Sequence, residues 1–261
     1  MDIYKTEHAG KTASERSRQL CSPIVELRQY TLHQRQRDML IELFERAFIE
    51  PQQAVGITVI GQFRDLEDPD RFVWLRGFPD MDKRLAALQA FYGGPVWQKY
   101  RDVANATMVD SDNVLLLRPA RPTSGFFLDA RDRPPRDIQE VPPGLVEATI
   151  LSFETPPDAN FLDFFEGTLA PVLTKSGASI LSYFVSEESP NTFPVLPVRE
   201  GEQVFVWFSS FRDQAAYDEH VAVLAREEEW HDQVWKPMVR RLKAAPSVLK
   251  LAPTARSLVH S

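Results

Sequence analysis

Cysteine is almost missing from this chain. Cys21 is the only one in 261 residues, which excludes an intramolecular disulfide and any CxxC metal or redox motif. Long apolar runs are missing too, since none approaches the roughly 20 residues that a membrane-spanning helix needs. Met1 to Ser22 is polar and mixed in charge, without the apolar stretch of a signal peptide. The expectation is a soluble, cytoplasmic protein with no membrane partner. A basic stripe is also absent. With a net charge of -7 and a pI near 5.4, the chain lacks the clustered Lys and Arg that phosphate backbones require, so nucleic acid is not an expected partner. GxGxxG, P-loop, GxSxG and HExxH motifs do not occur, which removes the commonest nucleotide, hydrolase and metalloprotease readings. What is present is an ordinary globular composition, 43% hydrophobic and 26% charged, long enough for one large domain or two ordinary ones.

The chain repeats itself. Phe72-Val73-Trp74-Leu75-Arg76-Gly77-Phe78-Pro79-Asp80 returns as Phe205-Val206-Trp207-Phe208-Ser209-Ser210-Phe211-Arg212-Asp213, and the same spacing pairs Trp97 with Trp230. Upstream a slightly shorter spacing pairs Val25-Glu26 with Val146-Glu147 and Gly56 with Gly177. The second copy therefore carries a dozen or so extra residues between Gly177 and Phe205. The Pro-rich stretch Ser189 to Pro197 is where they belong, as a lengthened loop between strands. Residues 120–144, rich in proline and charge, read as a linker. Within it Gly125-Phe126-Phe127-Leu128 is apolar enough to lie against one of the copies. The expected organisation is a flexible segment 1–22, a first unit 23–119, the linker 120–144, a second unit 145–255 and a tail 256–261.

Each copy reads strand, helix, strand, strand, helix, strand. Val25 to Leu32 alternates like a strand. In Gln34 to Glu50, Leu40, Leu43, Phe44, Ala47 and Phe48 form one helical stripe. Gly56–Leu66 and Arg71–Phe78 predict a hairpin around Glu67-Asp68-Pro69-Asp70. Asp80 or Asp82 can cap the next helix, which should break at Gly93-Gly94-Pro95. The plan βαββαβ is ferredoxin-like, an α+β fold with both helices on one face of an antiparallel sheet. Because Phe72, Trp74 and Phe78 alternate with Val73 and Leu75, the sheet is apolar on both faces. The two units are therefore expected to pack sheet to sheet as a pseudo-dimeric α/β barrel.

Val25-Glu26-Leu27-Arg28-Gln29-Tyr30, Phe72 to Phe78 and Gly94-Pro95-Val96-Trp97 together resemble the NIPSNAP family of the dimeric α/β-barrel superfamily, over most of residues 24–119. The second copy departs from the motif, with Thr149 and Leu151 where Arg28 and Tyr30 stand. The resemblance implies paired ferredoxin-like units. It does not choose a reaction, because the superfamily spans cofactor-free monooxygenases, cyclases, isomerases and haem enzymes.

Glu26, Arg28 and Tyr30 share one face of the first strand, and Arg76 should lie in the same sheet. A carboxylate, a phenol and guanidiniums within an apolar fold could act as base, proton donor and anion clamp toward an enolisable or phenolic ligand. The competing reading is a buried ion-pair network that serves the fold alone. Tyr30 and Glu26 are thus the catalytic candidates, with Arg28, Arg76 and Trp74 as binding candidates. Trp74 also has a plain core role, since Trp207 repeats it. His33, His220 and His231 lack metal-ligand companions, and His220 is expected at a surface or cap. Neither a metal nor a cofactor is expected. Two functions remain open. One is binding or cofactor-free conversion of a small apolar or aromatic molecule bearing a carbonyl or phenol. The other is a noncatalytic interaction or assembly module, possible also as a homo-oligomer.

Overall fold

The computed structural model describes residues 22–227 and 230–261. Apart from Ser22, the N-terminal segment expected to be flexible lies outside the described residues, and so does Cys21.

The first half runs β1 (Ile24–Leu32), α1 (Arg37–Leu43), a π-turn (Phe44–Phe48), α2 (Ile49–Ala54), β2 (Thr58–Asp65), β3 (Arg71–Phe78), α3 (Met81–Tyr92), α4 (Pro95–Asn105), a short β4 (Met108–Asp110) and β5 (Val114–Pro119). The second half runs β6 (Leu145–Phe153), α5 (Ala159–Phe164), a π-turn (Phe165–Leu169), α6 (Ala170–Lys175), β7 (Ser179–Ser186), β8 (Gln203–Phe211), α7 (Gln214–Arg226), a π-turn (Trp230–Trp235), α8 (Lys236–Val239) and β9 (Ser247–Pro253). Local signals account for the boundaries. The Asp80 carboxylate accepts from the Lys83 N–H at 2.6 Å and opens α3, and Asp213 does the same for Ala216 at 2.7 Å to open α7. Pro95 sits at the start of α4, where its missing N–H is harmless. Gly56 and Gly177 both hold positive φ, 93° and 110°, at the turns from α2 into β2 and from α6 into β7. That conformation is open to glycine at little steric cost.

The repeat extends to an unusual detail. Phe44 and Phe165 occupy matching places in the two copies, and each opens a five-residue π-turn in the first helix of its half. Pro51 and Pro171 follow shortly after. A residue without an N–H would forfeit a bond in a regular ladder, and a π-turn is a local interruption of that ladder.

The strands do more than face one another. Their order is β3-β2-β9-β6-β8-β7-β5-β1, and β1 pairs back onto β3, so eight strands close a barrel with β4 appended to β1. In each half the four long strands keep one order, β2-β3-β1-β5 and β7-β8-β6-β9. The halves join by hydrogen-bonded edges at both sides, Phe63 opposite Pro253 and Leu117 opposite Ser186. Closure leaves neither edge open to stray pairing. Val25, Leu27, Phe63, Val73, Leu75, Phe184, Val206 and Phe208 fill the interior. Phe126, from the segment between the halves, joins them with its ring 5.2 Å from Phe208. The helices cover the outer face of each half, giving two further apolar layers.

The end of the chain differs from expectation. Residues 256–261 are not a free tail: Arg256, Ser257, Leu258 and Val259 are buried. Arg256 donates to the Glu45 carbonyl at 2.6 Å, and Ser257 Oγ accepts from the Gln62 N–H at 3.3 Å. Composition gave no sign of this, because the contacts are to β2 and the first helix, far away in sequence.

Candidate functional site

Strand alternation sorts the first half into two environments. Val25 and Leu27 of β1 and Val73 and Leu75 of β3 point into the barrel. Glu26, Arg28 and Tyr30, with Trp74 and Arg76 across the ladder, lie in the layer beneath the helices. All five candidates from the sequence therefore meet in one place. All are buried, with Glu26 and Arg76 at 0% exposure and Arg28 at 1%.

The arrangement is a carboxylate held by three guanidiniums. Glu26 Oε2 accepts from Arg28 Nη1 at 2.6 Å and from Arg76 Nε at 2.7 Å. Glu26 Oε1 accepts from Arg84 Nε at 2.7 Å. Two phenols complete it: Arg28 Nε donates to Tyr30 Oη at 2.9 Å and Arg76 Nη1 to Tyr92 Oη at 3.2 Å. Both Arg28 and Arg76 lie over the Trp74 ring, 5.6 and 5.2 Å from its centroid. Burial would push the Glu26 carboxyl up, but Arg76, Arg28 and Arg84 outweigh it and hold the group well below the usual carboxylate range. Such a carboxylate is a poor base, so the general-base role considered for Glu26 does not suit its surroundings. Burial raises the Tyr30 phenol against the opposing pull of Arg28, which keeps its proton in place at neutral pH.

Arg84 and Tyr92 escaped the sequence reading. A signal was available for Arg84, which falls on the apolar stripe of α3 with Ala87, Leu88 and Phe91 and is buried with them. A charge on such a stripe needs a partner within the fold. From the second half, Asn191 Oδ1 and Thr192 Oγ1 accept from Arg84 Nη1 at 3.0 and 3.1 Å. They belong to the lengthened loop between β7 and β8, and Phe193 beside them stacks on Tyr92 with ring centroids 6.0 Å apart. Among the described residues nothing accepts from Arg76 Nη2 or Arg84 Nη2.

Next to this cluster is an aromatic cavity of about 30 Å³ lined by Tyr30, Phe44, Phe48, Gln52, Trp74 and Trp97, among others. Gln52 is buried and its Oε1 has no donor among the described residues. Among the described residues Trp74 Nε1 also lacks an acceptor, but so does Trp207 Nε1 in the second half, so that orphan belongs to the shared framework.

Residues 25–122 match the NIPSNAP family model. The first half is a NIPSNAP domain. The whole barrel is similar to two candidate monooxygenases, one from Lactobacillus acidophilus NCFM (14% identity, TM-score 0.51, covering 91% of this chain and 98% of that one). The other is from Fusobacterium nucleatum (10% identity, TM-score 0.52, covering 92% and 96%). It is also similar to an anthrone oxidase-like protein (12% identity, TM-score 0.52, covering 91% and 95%). At these identities the likeness is one of fold. No curated protein matches the chain.

The half outside the NIPSNAP domain serves as an internal control. Where the domain has Glu26, the second half keeps a carboxylate, Glu147. Arg28, Arg76 and Arg84 of the domain face Thr149, Ser209 and Tyr217 in the repeat, and Tyr30 and Gln52 face Leu151 and Leu173. Thr149 Oγ1 donates to Glu147 at 3.0 Å and Tyr217 bonds it as well. Burial raises Glu147 against these bonds. His220 is buried rather than exposed or capping, with Nδ1 2.9 Å from Ser176 Oγ, and burial lowers its pKa. No group of three His, Cys, Asp or Glu side chains among the described residues is placed to hold a metal, and no helix there is long and apolar enough to cross a membrane.

Proposed function

We propose that the NIPSNAP domain binds a small apolar or aromatic molecule bearing a carbonyl or phenol oxygen, between its sheet and its helices. One observation carries the reading: Tyr30, Gln52, Arg28, Arg76 and Arg84 are all polar in a layer whose repeat counterpart does without them. A fold that stands without these groups in one half does not need them in the other. Each half in this reading is a ferredoxin-like unit from a duplication, with the second kept as scaffold.

The chemistry follows from which atoms are already engaged. Tyr30 Oη accepts from Arg28, so its own proton is free for a ligand oxygen, and a donor polarised by a guanidinium is the stronger for it. Gln52 Oε1 can accept from a ligand hydroxyl. A phenol would satisfy both, and a carbonyl would take the Tyr30 proton alone. Phe44, Phe48, Trp74 and Trp97 supply apolar walls. One similar fold is named for an anthrone, an aromatic ketone, which is a compound of this class. The cavity of about 30 Å³ is close to one water's share of liquid volume, so a ring enters only as the walls move apart. Tyr92 and Trp97 are partly exposed and mark the side that opens.

Thermal shifts with a panel of simple phenols and aryl ketones test this directly. At least one compound should raise the melting temperature of the wild type, and Tyr30→Phe should lose that shift whatever its own starting stability. Equal shifts in both proteins would remove Tyr30 from the site.

A further inference from the structure

The charge in the cluster does not balance. Three guanidiniums surround one carboxylate, which leaves two positive charges in excess within a fully buried layer. Buried arginine is costly unless it is paired. The repeat shows that the framework is stable with Thr149, Ser209 and Tyr217 in their places, so the excess does not serve the fold. Arg76 and Arg84 are each anchored through Nε to Glu26. Each leaves an Nη2 without an acceptor among the described residues. A guanidinium with its orientation fixed and a donor to spare is a receptor for a planar anion.

The present partners of Arg84 Nη1 point the same way. Both are neutral oxygens, an amide and a hydroxyl, and both come from a partly exposed loop that the first copy lacks. Charge-assisted bonds are roughly twice as strong as neutral ones, so a carboxylate reaching Arg84 would displace them. Beyond Arg84 the lid is held by few contacts: Asn191 is tied to its own loop through Glu200 and Leu196, Thr192 Oγ1 donates to the Met81 carbonyl at a long 3.5 Å, and Phe193 rests on Tyr92 at the open side of the cavity. Moving Phe193 uncovers Tyr92, and moving Asn191 and Thr192 uncovers Arg84.

We propose that the ligand is an apolar or aromatic carboxylate received by Arg84 and Arg76, and that Asn191, Thr192 and Phe193 of the second half are the lid that occupies its place until it binds. This rests on the preceding reading that the NIPSNAP domain binds a small molecule, and it adds the charge of that molecule and the element that admits it. It also gives the duplication a use, since the lid over one half is a loop of the other.

The experiment is calorimetric titration with matched pairs, phenylacetate against phenylacetamide and benzoate against benzamide, with phenol alongside. Three proteins are compared: wild type, Arg84→Gln, and the double variant Asn191→Ala/Thr192→Ala. The carboxylate of each pair should bind the wild type about tenfold more tightly than its amide. The double variant should gain several-fold more for the carboxylate and little for the amide, because only the anion competes with those two side chains. Arg84→Gln should erase the difference within each pair. Should Arg84→Gln fail to fold, the double variant still decides, since its changes fall on a partly exposed loop. Carboxylate and amide binding the wild type equally would overturn this proposal while leaving the small-molecule reading intact. An unchanged carboxylate preference in the double variant would overturn the lid. Failure of every compound, phenol included, with all three proteins would defeat the small-molecule reading itself.

Discussion

Glu26 lies directly across the β1–β3 ladder from Arg76, and at the matching place in the second half Glu147 lies directly across from Ser209. One carboxylate is therefore held well below its usual range by three arginines, and the other is pushed up by burial against the opposing pull of the Thr149 and Tyr217 hydroxyls and of Lys250, which lies across the β6–β9 ladder. The backbone is the same. What differs is the charge around each carboxylate, three guanidiniums from β1, β3 and α3 in the first half and Lys250 of β9 in the second, and several expectations follow from that contrast.

The first concerns which member of the cluster the fold depends on. Glu26→Gln leaves three buried guanidiniums without a counter-charge and should destabilise the protein by about 3–5 kcal/mol. Arg76→Met keeps most of the side-chain volume, leaves Glu26 paired to Arg28 and Arg84, and lowers the excess charge. It should change stability by no more than about 1 kcal/mol in either direction. Urea unfolding of both variants measures this, and a loss in Arg76→Met as large as in Glu26→Gln would mean that no guanidinium in the cluster is surplus.

The second concerns acid. Glu26 is lowered from its ordinary 4.5 in the folded protein, so below 4.5 the unfolded chain takes up the proton first. Its contribution is complete above pH 4.5 and drains away as the pH falls toward the lower folded value. His220 is lowered from 6.5 by burial, so the unfolded chain again binds the proton first and stability starts to fall below about pH 6.5. As the pH falls from 8 to 3, His220 lowers the melting temperature from about pH 6.5 against an opposing gain from the raised Glu147 carboxyl, and Glu26 lowers it from pH 4.5. The decline below 4.5 should be flatter in Glu26→Gln, and an equally steep acid limb in that variant would count against the depressed carboxylate.

The third has the opposite sign. Glu147 is raised above 4.5, so the folded state holds the proton more tightly than the unfolded chain does. The associated stability is complete below pH 4.5 and is lost as the pH rises through the raised value. Glu147→Gln imitates the neutral acid and keeps an oxygen for the Thr149 hydroxyl. It should raise the melting temperature at pH 7.5 and change little at pH 4. A drop at pH 7.5 would show that the ionised form is the one the fold favours.

How much of this was readable in the sequence depends on the range of each interaction. Elements governed by neighbours a few residues apart were legible: the cap at Asp80, the break at Gly93-Gly94-Pro95, the hairpin before Arg71, and the alternation that put Glu26, Arg28 and Tyr30 on one face. The repeat located the long loop and gave the comparison with Thr149, Leu151 and Ser209. Arg84 was missed because a charged residue in a helix is ordinarily a solvent-facing one, and only its place on the stripe with Ala87, Leu88 and Phe91 marked it otherwise. Asn191 and Thr192 reach Arg84 from the opposite half, and no local pattern encodes such a meeting. The same holds for Arg256 and Ser257, whose partners lie on β2 and the first helix. Strand alternation and the sheet pairing bring Arg28 and Arg76 to Glu26, and with those two alone a base remains conceivable. The third guanidinium, Arg84, arrives from α3, and the sum of the three decides its chemistry.

The last prediction concerns the barrel as a whole. Its interior takes side chains from both halves, with Val25, Leu27, Val73 and Leu75 from one meeting Phe184, Val206 and Phe208 from the other. Hydrogen-bonded edges join β2 to β9 and β5 to β7. A fragment of residues 23–119 would expose that apolar face and two unpaired edges together, and it would also lose Arg256 and Ser257, which tie the end of the chain to Glu45 and Gln62. An exposed face of that kind seeks a partner, and so does an open edge. The full chain should therefore melt in one cooperative transition, with intrinsic fluorescence and circular dichroism giving coincident curves. The fragment should sediment as a dimer that restores both edges with a second copy of itself, or else aggregate. A monomeric fragment with a sharp transition of its own would show that one half can bury its core alone, and the closed barrel would then be an association of two independent domains rather than one folding unit.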